Sequence, residues 1–147
     1  MPSLSKRVWL GVLAAVLSVL IFHQGMWGTL HYMQLTGLHM PPPFPTDPIP
    51  PFGIPRIVNL CFWGGCYGAV FALVWRGPRG SYWLAGLALG IIAALIGLFL
   101  VPAIKGLPVG GGWLAANWTR SFLINGAWGL GLGVLLANML GITDEEI

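Results

Sequence analysis

Charge is what this chain has least of. Of its 147 residues, 7% are charged and 56% are apolar, and the mean hydropathy is +0.81. A soluble domain carries about 25% charged and about 45–50% apolar residues. So few charges cannot cover a surface facing water, and a lipid bilayer is the expected solvent for most of the chain. Acids are scarcest. Three of the four lie in the final "DEEI" and the other is Asp47, so no apolar run holds a carboxylate that could relay protons. No Ser/His/Asp constellation, H-E-x-x-H or P-loop is present, and the chain is read as non-enzymatic. The seven basic residues are scattered rather than striped, so the net charge of +3 does not point to nucleic acid. There are two cysteines, Cys61 and Cys66, in one apolar run. On a helix they would be about 140° apart, which disfavours a disulfide or a shared metal and leaves two buried free thiols as the expectation.

What the chain has is four apolar runs, over residues 8–28 (with an extension towards Met33), 57–75, 82–101 and 117–140. Each matches the roughly 20 residues a membrane-crossing helix needs, and helices satisfy their own backbone in lipid. The expected fold is all-α: an integral membrane four-helix bundle, one domain over residues 1–147, with a proline-rich outer loop (34–55) between helices 1 and 2. Lys6 and Arg7 precede the first run as in a signal peptide, but it continues past Phe22 without an A-x-A-like site, so a retained anchor is expected. Lys6, Arg7, Arg76 and Arg79 fall on one side and Arg56, Lys105 and Arg120 on the other. That majority, with the tight "RGPRGS" turn, puts both termini in the cytoplasm. Trp9, Trp75 and Trp83 would mark the inner interface, and Trp27, Trp113 and Trp118 the outer one. The acidic tail would then lie inside.

Residues 41–55 hold eight prolines. A sequence of this kind favours an extended, stiffened path without internal hydrogen bonds. Such a segment could cap the outer face of the bundle with Phe44 and Phe52 tucked in, or offer an edge to a partner.

Lipid supplies no hydrophobic drive between helices, so close packing relies on small residues. Gly11, Ala15 and Ser18 form one stripe and Gly64 and Gly68 another. Gly86, Gly90, Ala94 and Gly97 recur in the third run, and Gly129 and Gly133 in the fourth. These faces serve contacts within the chain or between two copies of it. "NLCFWGGCYG" and "NGAWGLGLG" share an Asn followed by Trp-Gly-x-x-x-Gly, which suggests a parallel repeat of two hairpins.

Polar groups gather at one end of the runs. His23, Gln24, Asn59 and Asn125 form a candidate polar layer, and Arg56, Lys105, Arg120 and Asn117 a candidate basic rim. Trp113, Asn117, Arg120 and Ile124 follow a helical face. Such groups serve either as packing glue and headgroup anchors or as a ligand or ion site. The spacing of His23, His31 and His39 does not suit a metal or a bis-histidine haem, so no cofactor is expected. "GLPVGGG" follows no strand and reads as a turn rather than a phosphate cradle.

"PFGIPRIVNLCFWGG", "LVPAIKGLPVGGGW" and "NGAWGLGLGVLL" together resemble an uncharacterised group of small four-span bacterial membrane proteins, most like those of alpha-proteobacteria. The likeness covers roughly residues 30–140. It implies a bacterial inner-membrane location and carries over no catalytic or binding residue. The leading expectation is an accessory or interaction subunit of a membrane complex, respiratory or photosynthetic, partnered by the bilayer and by another membrane protein or a second copy. The alternative is a small transporter or channel for a weakly polar or anionic solute passing the polar layer. An enzyme acting on lipid comes third, for want of a nucleophile–base pair.

Overall fold

Local chemistry sets where each helix begins and ends. A computed structural model describes residues 3–142; the acidic tail lies outside the described residues. Ser3 starts α1 (Leu4–Met33) by accepting the Lys6 backbone N–H at 3.3 Å. Gln34, in the left-handed conformation, ends it. Pro55 precedes α2 (Arg56–Val74), at a helix start where its missing N–H leaves no bond unmade. α3 spans Arg79–Ile104 and α4 spans Ala115–Met139. Gly141, with φ 65°, closes α4: Ile142 N–H bonds Ala137 C=O at 3.3 Å and Gly141 N–H bonds Asn138 C=O at 3.0 Å. A pair of two-residue strands, β1 (Pro48–Ile49) and β2 (Ile54–Pro55), joins antiparallel between α1 and α2. The fold is all-α in substance, and all four helices are long and apolar enough to cross a membrane.

Two helices widen locally. α1 makes a π-turn at Val19–His23 and α3 one at Ile96–Leu100. The second sits just before Pro102, whose ring cannot tolerate an α-helical carbonyl four residues earlier. In α1 the extra residue per turn lets consecutive side chains, His23 and Gln24, both face inward, 7% and 1% exposed.

The helices touch in the order α2–α1–α4–α3. Glycine decides both outer seams. A Cβ at Gly11 would overlap the Gly68 carbonyl, and one at Gly68 would overlap the Gly11 carbonyl. Gly86 and Gly129 stand in the same reciprocal relation, while Gly90 lies on the Asn125 carbonyl and Gly133 on the Tyr82 carbonyl. Gly64 leaves room for Val19 and the Trp128 ring. These glycines therefore serve seams within the chain. The central α1–α4 seam is polar as well as close. Ser18 Oγ donates to Trp128 C=O at 2.6 Å, and Trp128 Nε1 donates to Ala15 C=O at 3.2 Å. Gly131, a residue outside the predicted stripes, makes way there for Phe22 and Ser18. One core results, built on Ala14 and Ala15 of α1, Phe71 and Ala72 of α2, Tyr82 of α3, and Trp128, Leu132 and Leu136 of α4.

Three expectations need correction. Gly97 packs against nothing, because a Cβ there would meet open space. The thiols are free but not buried: Cys61 is half-buried where it packs against the edge of the core, and Cys66 is exposed. Trp63 and Trp128, matched in the apparent repeat, face oppositely at 56% and 3% exposure.

The two hairpins nevertheless share an arginine device. Arg7, early in α1, donates through Nε to Ala72 C=O at 2.5 Å, and through Nη2 to Trp75 C=O and, at 2.9 Å, to Tyr82 Oη. Arg79, which begins α3, donates to Ile142 C=O and to Asn138 Oδ1, both at 2.6 Å. Arg7 thus covers carbonyls at the negative end of α2, and Arg79 ties the end of α4 to the chain that follows it.

Replacing Gly129 with valine should lower stability by about 1–3 kcal/mol, because neither facing backbone can retreat. Gly97→Ala should stay within about 0.5 kcal/mol of the native chain. Unfolding in mixed detergent checks both, and equal effects would mean that the close approach is not limiting.

Candidate functional site

Proline brings a carbonyl but no N–H, so a proline-rich segment must find donors elsewhere for any carbonyl it buries. Trp27 and His31, one turn apart on α1, meet that need, while Gln24 on the same face accepts one of the strap's few N–H groups. Trp27 Nε1 donates to Pro41 C=O at 2.8 Å. His31 Nδ1 lies 2.7 Å from Met40 C=O and so carries its proton there, since a carbonyl only accepts. From α4, Arg120 Nη1 donates to His39 C=O at 3.1 Å. The Phe44 N–H, one of the few this stretch has, donates to Gln24 Oε1 at 2.6 Å. That bond orients the amide, so Gln24 Nε2 donates to His23 Nδ1 at 3.1 Å and the His23 proton resides on Nε2. Gly28 leaves space beneath Pro43. Residues 39–45 are thereby strapped to α1 and α4.

The strap then folds on itself instead of staying free of internal hydrogen bonds. Gly53 N–H bonds Ile49 C=O, Arg56 N–H bonds Asp47 C=O and Ile57 N–H bonds Pro45 C=O, all at 2.9–3.0 Å. Arg56 also clasps Asp47 Oδ2 through Nε at 2.8 Å and Nη2 at 2.5 Å. The Arg56 guanidinium holds the Asp47 carboxyl below the ordinary aspartate value of 3.8. With its folded pKa depressed, any stability the pair adds is present above that value and lost as pH falls through the lowered one. Both side chains are about half exposed, so the contribution is small. Phe44 and Phe52 are not tucked in. They are 51% and 83% exposed, since the backbone anchors occupy the side of the strap that faces the helices.

Beneath the strap lies a cavity of about 820 Å³. His23 and Trp27 of α1 form one wall, and Arg120, Ser121, Ile124 and Asn125 of α4 another. Residues 40–47 roof it and Arg56 stands at the start of α2. Of the predicted polar layer, His23 and Asn125 meet here, while Gln24 is 1% exposed and works behind the wall by holding the strap. Asn125 Nδ2 also donates to Ser121 C=O one turn earlier, at 2.9 Å. Asn59 is half-buried and off the wall. Of the predicted rim, Arg56 and Arg120 line the cavity, and Asn117 supports it by accepting from Arg120 Nη2 and donating to Gly111 C=O at 2.7 Å. Lys105 is exposed and apart from it.

Sequence reasoning did not single out Trp27, Ser121 or Asp47 for this place. Ser121 follows Arg120 and precedes Asn125 by one turn, a signal that was readable. The Asp47–Arg56 pairing depends on the strap turning back, which no periodicity announces. The His31 and His39 rings lie tilted against each other with centroids 5.4 Å apart, away from the cavity wall. The site offers guanidinium, carboxylate, amide, hydroxyl and imidazole groups beside apolar side chains. Comparison with known proteins found no protein family, curated protein or solved structure that matches the chain.

Gln24→Leu would leave the Phe44 N–H and His23 unpartnered while keeping the bulk of the side chain. The Phe44 amide should then exchange with solvent about tenfold faster or more, with the Gly86–Gly129 seam unaffected. Unchanged exchange at Phe44 would mean that the strap is held by its other anchors alone.

Proposed function

We propose that the chain is a non-enzymatic, multi-pass protein of the bacterial inner membrane, with both termini in the cytoplasm and the strap outside. In this reading it is an accessory or interaction subunit of a membrane complex of the respiratory or photosynthetic kind. Membership in the group of four-span bacterial proteins that its sequence resembles is part of the same proposal. The observation that carries it is the strap. Its backbone is fixed by side chains from α1 and α4, yet Phe52 and Phe44 project outward. A segment already ordered before contact loses little entropy when a partner covers it. The helices, by contrast, spend their small residues on each other, which favours a heterologous membrane-protein partner over a second copy.

Tagged chain extracted in mild detergent should bring down a recurring membrane protein, and Phe52→Ser should cut that recovery several-fold. Isolation of the native chain alone, as a monomer or symmetric oligomer, would sink the proposal.

The cavity supports a second reading, carriage of a weakly polar or anionic solute. The far half of the bundle is closed by Ala14, Ala15, Leu132 and Leu136, so such a solute would need the hairpins to move apart. Loss of vesicle uptake in a chain with His23, Asn125 and Arg120 changed to alanine would favour this reading, and unchanged flux would remove it.

A further inference from the structure

Among the described residues Asp47 is the one acid, and Arg56 already holds it. Arg120 therefore meets no carboxylate there. Its partners are neutral: the His39 carbonyl and the Asn117 amide oxygen. A guanidinium has five N–H donors, more than these contacts use. It lies in the second turn of α4, on the wall of the 820 Å³ cavity, with Ser121 beside it and Trp27 and Ile124 supplying apolar surface. A cavity of this size suits a small ligand or part of a larger one. Its helical walls come from the last three turns of α1 and the first three of α4, the ends of apolar helices, where lipid headgroups meet a bilayer's hydrocarbon.

We infer that the cavity beneath the strap binds a phosphate oxyanion, with Arg120 as its charge-matched donor and Ser121 as a further hydrogen-bonding group. An anionic phospholipid headgroup and free phosphate share this chemistry. The apolar surface that Trp27 and Ile124 add to the lining favours the headgroup, its glycerol end lying against them. Arginine suits the task because its planar fork can engage two phosphate oxygens while another N–H keeps the strap's His39 carbonyl. The occupant would thus lie against the same side chain that ties the strap to α4. The site requires neither a protein partner nor transport.

The test uses the full chain in bilayer discs of phosphatidylcholine with a minor share of phosphatidylglycerol. Lipids retained on release into detergent are counted by native mass spectrometry. The native chain should keep phosphatidylglycerol selectively. Arg120→Gln, which retains a neutral donor, should weaken retention about tenfold or more. Arg120→Lys should fall between them, and it decides the matter together with the native chain if the glutamine variant does not fold. Lys105→Gln, a cation lost at the same end but off the cavity, should change nothing. Competition by inorganic phosphate at constant ionic strength would assign the site to the free anion instead of the headgroup. Equal retention of the two lipids without phosphate binding, or equal losses from Arg120→Gln and Lys105→Gln, would overturn the inference. Because the assay reads the isolated chain, its failure leaves the accessory-subunit proposal standing, and failure of co-purification leaves this site standing.

Discussion

The constraint on which the rest of the structure depends is the direct approach of one helix backbone to another. In a bilayer, apolar side chains gain nothing by leaving lipid for protein, so attraction comes from contact area and from hydrogen bonds across the seam. Gly86 against the Gly129 carbonyl, and Gly11 against the Gly68 carbonyl, bring helices so close that no side chain intervenes. Close seams fix the tilt and register of each hairpin. Ser18 and Trp128 then join the hairpins through backbone carbonyls of the opposite helix. The polar groups of α1 and α4 that face the cavity inherit their positions from these contacts.

The strap answers a different accounting. A run of prolines presents carbonyls in excess of donors, and the deficit is met by Trp27, His31 and Arg120. Gln24 accepts from the strap and donates to His23, so it links roof and wall through one amide. The cavity, the strap and the basic rim are for this reason one assembly. At the opposite end Arg7 and Arg79 do for helix termini what Arg120 does for the strap: they supply N–H groups to backbone carbonyls.

Much of the fold was legible because composition and glycine spacing act locally along each helix. Four long apolar helices, the Gly86/Gly90 and Gly129/Gly133 faces and the gathering of His23, Asn125, Arg56 and Arg120 could be read from run length and spacing, although α1 begins at Leu4, four residues before its apolar run does. The rest depended on what periodicity cannot carry. Gly131 lies between two glycines that face α3 yet itself faces α1, since α4 is central and presents two faces. Asn59 seemed equivalent to Asn125, but α2 is a peripheral helix and offers that position no wall. The outward turn of Phe44 follows from a hydrogen bond between residues 24 and 44, far apart in the chain. Arg7 read as a topology signal, whereas its contacts with Ala72 and Tyr82 exist only once three helices meet.

The π-turn at Val19–His23 separates two stretches of α1 with different duties. Gly11, Ala15 and Ser18 before it serve the seams, and Gln24, Trp27 and His31 after it serve the strap. A π-turn is a helix that has absorbed one additional residue without breaking. It works as a phase shifter: each residue advances a helix by about 100°, so removing one from this segment would swing everything beyond it by that angle. The close approaches at Gly11–Gly68 and Gly86–Gly129 would remain, but the anchors would point past the strap. The angular offset between the half that assembles the protein and the half that shapes its cavity is thus stored in five residues, and either half can change its sequence without re-indexing the other.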